Sequence, residues 1–363
     1  MKNPFNPRFG RKPQSFLERS NITYNLLSSY DEPNAPENTT LITGVRGSGK
    51  TVMLADIYER MKDNSDWVAI YTACNDDILS NIIELIDYEL DRKKSAAKID
   101  SISIKSPFGA INIKNVEKKY NTFHLNLRDT LDVLSDKELR LLIIVDEVSN
   151  IKAMKDLGQT YQLLYGSGYE INFLFAGLPH EVDSLINAKT MTFLHRATHI
   201  SLPTIDTYYV KIAYESEFRK RGCHFEESAL ELAYLSTSGY PYLYQLLGYN
   251  LWKNMSDDTI RLADVKDAIE ISKAALFQNV YSILYRDLSE KDQIFLLTMN
   301  RFEKNVNVRS ITNHLNQKEN LTHVYKNRLL RVGVIENVSR GVISFSLPFF
   351  SEFLKEQRKL LEF

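Results

Sequence analysis

The stretch GVRGSGKT at 44–51 has the residue types and spacing of a phosphate-binding loop. It fits the pattern GxxxxGK[ST], directly after a strand pattern and at the opening of a helical one. Its glycines permit a tight turn whose N–H groups point at phosphate, and the N-terminus of the following helix adds partial positive charge. Lys50 would bind the β- and γ-phosphates, and the hydroxyl of Thr51 would ligate Mg²⁺. The residues predicted to bind ATP or ADP are Gly44, Arg46, Gly47, Ser48, Gly49, Lys50, Thr51 and Val52. The alternative is an ordinary glycine-rich turn between a strand and a helix.

Two adjacent carboxylates, Asp146 and Glu147, end the most apolar segment of the chain, LLIIVDEV at 141–148. Open α/β sheets bind ligands beyond the carboxyl ends of such buried strands. Asp146 would hold Mg²⁺ through water. Glu147 would have no metal to bind, so its carboxylate could orient or deprotonate a water molecule beside the γ-phosphate. The alternative is a carboxylate pair that caps a strand, and the phosphate-loop pattern upstream disfavours it.

Strand and helix patterns alternate through the residues that would position these groups, which predicts a parallel sheet. The strand patterns lie at 39–43, 67–73, 141–148, 171–179 and 199–206. Those at 141–148 and 171–179 do not alternate polar with apolar residues, so we expect helices on both faces of the sheet. Residues 101–114 alternate around a Pro-Phe-Gly turn and predict a β-hairpin on the rim.

Changes in composition along the chain predict four segments. They are an N-terminal arm (1–38), a P-loop ATPase domain (39–206), an all-helical lid (207–285) and a winged-helix domain (286–363). The last segment has three short helical patterns, a hairpin pattern and an amphipathic terminal helix, which is the order of a winged helix-turn-helix. Within the lid, the recurrence of Tyr244, Gly248 and Trp252 on one helix face indicates core packing.

Together these segments resemble the AAA+ and STAND-like ATPases, in particular prokaryotic proteins built like origin-recognition initiators. The resemblance covers nearly the whole chain and is carried by NPFNPRFG, GVRGSGKTVML, LLIIVDEV, LFAGLP and SGYPYLYQLLGYNLW. It implies an ATPase module, a helical lid and a winged helix. It also implies that Arg19 lies near the adenine pocket and that Pro241 belongs to a nucleotide-sensing GxP motif. Arg196 would be an arginine finger that completes a neighbour's site in a homo-oligomer.

These implied roles have alternatives. Glu18 stands where the family usually has Gly, so Arg19 could be a surface residue. Arg196 could form a structural salt bridge, and Arg46 could be solvated, touch phosphate or reach a neighbouring subunit. The fourth core strand ends in Ala-Gly-Leu at 176–178 instead of a polar residue, so the sequence identifies no sensor residue there.

The bulk composition excludes several classes of protein. With 363 residues, 44% of them hydrophobic, the chain can bury two or three cores. Because 45 Lys and Arg balance 46 Asp and Glu, any attraction to a polyanion must be local. Cys74 and Cys223 fit no zinc spacing. No stretch has the roughly 20 apolar residues of a membrane span, so we expect a soluble, cytoplasmic protein.

Local positive charge in the last segment predicts contact with duplex DNA. Between Arg301 and Arg340, eight Lys or Arg stand against three Glu. In the third helix the residues expected in the core are Leu321, Val324, Tyr325, Leu329 and Leu330. That orientation leaves His323, Lys326 and Asn327 outward, toward the major groove, and Arg328 near the edge, with Arg340 at the tip of the wing. A basic face that docks on protein is the alternative.

The leading interpretation is a regulatory ATPase that hydrolyses ATP and couples nucleotide state to a DNA-binding winged helix. A STAND-type signalling NTPase, whose output is protein assembly, is the first rival, because GxP and the near-neutral charge favour it. A small-molecule or nucleotide kinase would also need a phosphate loop. It would not need a helical lid and a winged helix, however.

Overall fold

A computed structural model describes residues 2–8, 10, 12–32, 35–96, 119–255, 257–302 and 304–361. The hairpin predicted at 101–114 lies outside these residues. The chain divides into two compact units. The sheet unit comprises Arg19–Thr43 and Lys50–Leu202, and the helical unit comprises Met1–Glu18, Gly44–Gly49 and Pro203–Phe363. Among the described residues, no helix is both long and apolar enough to cross a membrane.

The sheet unit is built on five parallel strands in the order β2-β3-β4-β1-β5. The strands are β1 (Thr39–Thr43), β2 (Trp67–Ala73), β3 (Arg140–Asp146), β4 (Ile171–Gly177) and β5 (Thr198–Ser201). Its helices are α1 (Ser20–Ser29), α2 (Lys50–Met61), α3 (Ile78–Ala96), α4 (Lys119–Ser135), α5 (Lys152–Gly166) and α6 (Pro179–Ile186), with 3₁₀ turns at Pro36–Asn38 and Thr192–Arg196. This arrangement confirms the predicted α/β P-loop fold.

Both faces of the sheet are covered, which explains why its strands lack polar alternation. Neighbouring residues of β3 enter opposite cores: Ile143 packs with α3, α4 and α5 residues, and Ile144 packs with α1 and α2 residues. Leu41 and Ile42 of β1 divide in the same way. Burial on both faces therefore holds the carboxyl ends of β1 and β3 in the fixed positions that a catalytic site requires.

The helical unit continues with α7 (Thr207–Lys220), α8 (Glu227–Ser236), α9 (Pro241–Asn254), α10 (Leu262–Leu276) and α11 (Ser282–Arg286), the last two joined by a π-helical turn at Phe277–Tyr281. Two-residue strands β6 (His224–Phe225) and β7 (Thr259–Ile260) form a parallel pair, so this region is helical with one small exception. The remaining elements are α12 (Glu290–Met299), β8 (Val306–Asn307), α13 (Val308–Leu315), α14 (Glu319–Val332), β9 (Ile335–Ser339), β10 (Val342–Phe345) and α15 (Phe350–Leu361).

The C-terminal elements share one core. Antiparallel strands in the order β8-β10-β9 pack with α12, α13 and α14 through Phe295, Ile311, Leu329 and Ile343, all fully buried. The start of α9 belongs to the same cluster. Tyr240, which directly precedes the helix, packs into it together with Leu243 and Leu246. The helix that carries the GxP sequence is thus joined to the C-terminal elements by a continuous apolar core.

Phe5 anchors the N-terminal residues in the helical unit. Its ring is 2% exposed and lies 5.5 Å from Tyr244 and 6.4 Å from Trp252, centroid to centroid. Gly248 makes room for it, because a Cβ at that position would lie 2.5 Å from Phe5 Cδ1. A hydrogen bond of 2.5 Å between the hydroxyls of Ser15 and Tyr244 adds a second attachment. The face that carries Tyr244, Gly248 and Trp252 is core, as predicted.

Replacing Phe5 with Ala should lower the free energy of unfolding of the helical unit by about 3–5 kcal/mol, the usual cost of deleting a buried aromatic ring. Phe302→Ala is the matched control, because Phe302 is 38% exposed. That control should cost less than about 1 kcal/mol. Urea unfolding followed by tryptophan fluorescence measures both. Equal losses would mean that the N-terminal residues do not stabilise this unit.

Candidate functional site

In the sheet unit, the carboxyl end of β1 lies at the switch point of the strand order. From β1 the chain crosses to the far edge at β2, and from β4 it passes β1 to reach β5. Connections that diverge in this way leave a crevice beyond the strand ends. β1 ends at Thr43, and α2 begins with Lys50 and Thr51. The strand and helix required on either side of a phosphate loop are therefore present.

Asp146 is the last residue of β3 and is buried at 6% exposure. Its Oδ2 accepts a hydrogen bond from the Tyr71 hydroxyl at 3.1 Å, and its Oδ1 accepts one from the Glu147 N–H at 2.9 Å. Burial, together with the charge of Asp146, raises the pKa of Tyr71 well above its usual range. Tyr71 therefore remains a donor at neutral pH and helps to orient the carboxylate.

Glu147 adopts a left-handed backbone conformation with φ of 54° and is exposed. A non-glycine residue in that region typically costs about 1–2 kcal/mol. Two hydrogen bonds hold the turn: the Glu147 N–H to Asp146 Oδ1, and the Val148 N–H to the Ala176 carbonyl at 2.9 Å. The turn directs the chain away from β3 and leaves the Glu147 carboxylate at the open end of the sheet.

The close approach of Val148 explains why β4 ends in glycine. A Cβ at Gly177 would lie 2.9 Å from Val148 Cγ2 and 3.0 Å from the Val148 carbonyl oxygen. Only glycine fits there without displacing the turn that carries Glu147. The glycine at the end of β4 is thus a packing requirement.

In the helical unit, the residues of the phosphate loop contact α9. The Tyr240 hydroxyl donates to the carbonyl of Arg46, and the Tyr242 N–H donates to the carbonyl of Gly47 at 3.2 Å. Gly47 has φ of 80°, and a side chain there would overlap the Tyr240 hydroxyl. In a trans peptide, the C=O of one residue and the N–H of the next point in opposite directions. Because the Arg46 carbonyl faces the Tyr240 hydroxyl, the Gly47 N–H points away from Tyr240.

The glycine of the GxP sequence, Gly239, is required because two backbone segments approach each other closely. Gly239 has φ of 69°, and its carbonyl accepts a hydrogen bond of 2.8 Å from the Ile205 N–H. A Cβ at Gly239 would overlap the Ile205 carbonyl. Pro241 is the first residue of α9, where a missing N–H does no harm. The motif thus sets the start of α9 and with it the position of Tyr240.

The phosphate loop also contacts the end of α14. Gly333 caps that helix in the left-handed conformation, with φ of 82°, and its N–H donates to the Leu329 carbonyl at 3.0 Å. A Cβ at Gly333 would overlap Cγ1 of Val45. Val45 also packs at the margin of the C-terminal core. One loop of six residues therefore contacts both α9 and a C-terminal helix.

The other predicted nucleotide residues take separate positions. Val52 is half-buried on α2. Arg19 precedes α1 and is half-buried, and burial lowers the pKa of its guanidinium. Arg196 ends the turn at Thr192–Arg196 and is exposed, and within the described part of the chain no ion pair involves it. The salt bridge considered for Arg196 is not formed with any described residue.

The exposed face of the third C-terminal helix, α14, differs from the predicted one. The prediction was wrong for two of the residues expected in the core. Leu321 and Val324 are 46% and 55% exposed, whereas Thr322 is fully buried. Thr322 accepts a hydrogen bond of 3.0 Å from the Gln317 amide, which satisfies its hydroxyl. A buried threonine with a local partner is not visible in a hydrophobic pattern, so periodicity assigned the wrong face.

Arg328, predicted near the edge of the outward face, is engaged in an internal ion pair. Its guanidinium bonds Oδ1 of Asp292 at 2.7 and 2.9 Å and the Ser289 hydroxyl at 3.0 Å. Asp292 is 1% exposed, and a buried carboxylate requires such a partner. Lys326 is half-buried, whereas Arg340 is exposed in the β9–β10 turn. Of the three residues predicted to contact DNA, Arg328 is thus engaged in an ion pair within the protein.

Sequence reasoning missed three tyrosines that contact predicted site residues. Tyr71 could have been found from the parallel register, because β2 neighbours β3 and Ala73 pairs with Asp146. Tyr240 and Tyr242 stand in or beside the GxP sequence, but only folding brings them to the loop at 44–49.

Comparison with known proteins gives two family matches. ATPase_2, described as an ATPase domain predominantly from Archaea, matches residues 25–221. A domain of unknown function, DUF8462, matches residues 278–354. A search among curated proteins finds no match.

Two solved structures share the fold. The Walker-type ATPase of Pyrococcus abyssi is 14% identical with a TM-score of 0.67, over 94% of this chain and 96% of that one. The ORC2 protein of Aeropyrum pernix, solved as ADPNP–ADP complexes, is 15% identical with a TM-score of 0.62, over 98% of both chains. These likenesses show that the chain shares the fold of these two proteins, as the resemblance in sequence implied. Because the first family match spans more than half of the sequence, this chain belongs to the ATPase_2 family of ATPase domains.

Proposed function

We propose that this protein binds and hydrolyses ATP with Mg²⁺ and uses nucleotide state to control a C-terminal winged helix that binds duplex DNA. One observation carries the proposal: the loop at 44–49, which holds the phosphate-binding pattern, is hydrogen-bonded by α9 and packed against the end of α14. A change in that loop on nucleotide binding would be felt directly by both helices.

The residues of the sheet unit suit ATP with Mg²⁺. Lys50 would hold the β- and γ-phosphates, and backbone N–H groups of the glycine-rich loop would surround them. The Thr51 hydroxyl and the Asp146 carboxylate are hard oxygen donors, and Mg²⁺ is usually bound by one or two such protein groups together with phosphate and water. The chemistry that bound Mg²⁺ supplies is neutralisation of charge on the phosphates.

Glu147 is the residue we propose for activation of water. Its carboxylate is exposed, whereas that of Asp146 is buried and already accepts two hydrogen bonds. The two neighbouring carboxylates therefore have different surroundings, which suits one for metal binding and the other for proton transfer. Arg196, also exposed, would act across a subunit boundary in a homo-oligomer, and Arg19 and Pro241 would contact the nucleotide.

A second candidate is a STAND-type switch whose output is protein assembly. The orientation of α14 favours it, because Leu321 and Val324 are exposed and Arg328 is held by Asp292. An apolar face with fewer available cations suits a protein partner. The basic excess around that helix favours DNA, and duplex binding separates the two.

Lys50→Ala should abolish ATP binding, whereas Glu147→Gln should bind ATP and lose about 10²- to 10⁴-fold in hydrolysis, the contribution of a general base. Nucleotide titration and single-turnover hydrolysis measure the two effects. Hydrolysis by Glu147→Gln at the parent rate would exclude this role.

The chain offers a control for the strained backbone at Glu147. Glu138 has φ of 57° and is also exposed. Glycine at either position should leave the protein as stable or up to about 1 kcal/mol more stable, because the left-handed strain is removed. Only Glu147→Gly should stop hydrolysis. If Glu138→Gly stopped it too, backbone relaxation and not the lost carboxylate would be the cause.

Gly333→Ala tests the coupling between the loop and α14. Its Cβ would displace Val45, so we expect the ADP dissociation rate to change about fivefold or more, the usual scale of coupling between sites. Gly341→Ala is the control, because Gly341 has φ of 78° and its Cβ would contact nothing. Stopped-flow release of a fluorescent ADP analogue measures both. Identical rates in the two variants would contradict the coupling.

Mixing Arg196→Ala with Lys50→Ala protein should restore part of the hydrolysis if Arg196 acts on a neighbouring subunit. A hybrid interface would contain one intact site, and a finger contributes about 10³- to 10⁵-fold in rate. Light scattering of the ATP-bound protein reports the assembly. A monomer without rescue would assign Arg196 to another role.

A further inference from the structure

The outer face of α14 carries an uncharged stripe over its first turns. Leu321 and Val324 are 46% and 55% exposed, and Asn320 and Asn327 are exposed as well. Their spacing places them on one side of the helix. Among the described residues, no hydrogen bond involves either asparagine amide. A helix face that only meets water normally carries charge, so this stripe is a candidate for a specific contact.

Basic residues lie on α14 itself and on elements that share its core. Lys318 directly precedes the helix, and Arg331 follows on the same side one turn after Asn327. Arg309 is exposed at the start of α13, and Arg340 is exposed in the hairpin turn. Arg328, which would otherwise add a cation to the stripe itself, is bound to Asp292. Charge therefore complements a polyanion at the margins, while the centre of the helix presents amides and methyl groups.

We infer that this stripe reads A·T base pairs in the major groove. An asparagine amide pairs with N6 and N7 of adenine, and apolar side chains contact the C5-methyl group of thymine. Asn320 and Asn327 supply the amides, and Leu321 and Val324 supply the apolar contacts. A G·C pair presents no methyl group and no acceptor–donor pattern for asparagine in that groove. The inference rests on the proposed DNA binding and names its preferred sequence class.

Glu319 is an acidic residue in the first turn of α14. Its carboxylate lies 3.8 Å from Nε2 of His323, one turn along the helix. This pair occupies the side of α14 beside Lys326, on the flank of the stripe that lies away from Leu321. The carboxylate thus borders the reading face without interrupting it.

Fluorescence anisotropy with the full chain and ATP tests the inference on two duplexes of equal length. One duplex contains A·T pairs in mixed order, and the other contains only G·C pairs. The parent protein should bind the A·T duplex about tenfold more tightly. Replacing thymine with deoxyuridine removes only the methyl group, so it should weaken binding of the parent protein but not of the Leu321→Ala, Val324→Ala double variant.

Two further variants distinguish contacts with the bases from contacts with the phosphates. Arg340→Ala should weaken binding to both duplexes equally and lower the salt slope by about 0.9, the effect of one lost phosphate contact. Leu163→Ala removes a leucine that is 59% exposed on α5, and it should change nothing. Circular dichroism checks that all variants fold.

The outcomes distinguish this inference from the proposed function. Equal affinity for the two duplexes, or a deoxyuridine effect that persists in the double variant, would overturn A·T reading and leave DNA binding intact. The absence of duplex binding at low salt would overturn both and favour the protein-assembly function. Equal affinity of the parent protein for the thymine and deoxyuridine duplexes would also overturn A·T reading, and this comparison needs no variant.

Discussion

The carbonyls of Arg46 and Gly47 need hydrogen-bond donors, and Tyr240 and Tyr242 supply them. The loop can approach α9 this closely only because Gly47 has no side chain. The start of α9 is in turn set by Gly239, whose carbonyl is bonded to Ile205. Two glycines at positive φ therefore establish one contact between the phosphate loop and the helix that follows the GxP sequence.

The same loop ties this contact to the C-terminal elements. Val45 packs where Gly333 ends α14, and Tyr240 is buried in the core that contains Phe295, Ile311 and Leu329. A close-packed core transmits displacement because it has few voids to absorb it. A shift of the loop must therefore be accommodated by α9, by the end of α14 or by both. This is the physical basis for the switch that we propose.

The end of β3 follows a second constraint, which comes from its neighbours in the sheet. Tyr71 on one side and the Val148–Ala176 hydrogen bond on the other hold the turn in which Glu147 is strained. Strained backbone persists where the surrounding structure over-determines it, and such positions often mark functional sites. The exposed carboxylate of Glu147 and the buried one of Asp146 follow from this turn.

The P-loop fold could be predicted from the sequence, because the motif GVRGSGKT and the uninterrupted apolar runs of β3 and β4 depend on local pattern and two-sided burial. The sequence also predicted three helices, a hairpin and a terminal helix after residue 286, but not the two-residue strand β8. The exposed face of α14 could not be predicted from the sequence, because it depends on contacts that form only in the tertiary structure. Thr322 and Asp292 are polar yet buried, and their partners, Gln317 and Arg328, become apparent only after folding. Likewise, Tyr240 reaches Arg46 across 194 positions of sequence, and no local pattern encodes a contact of that separation.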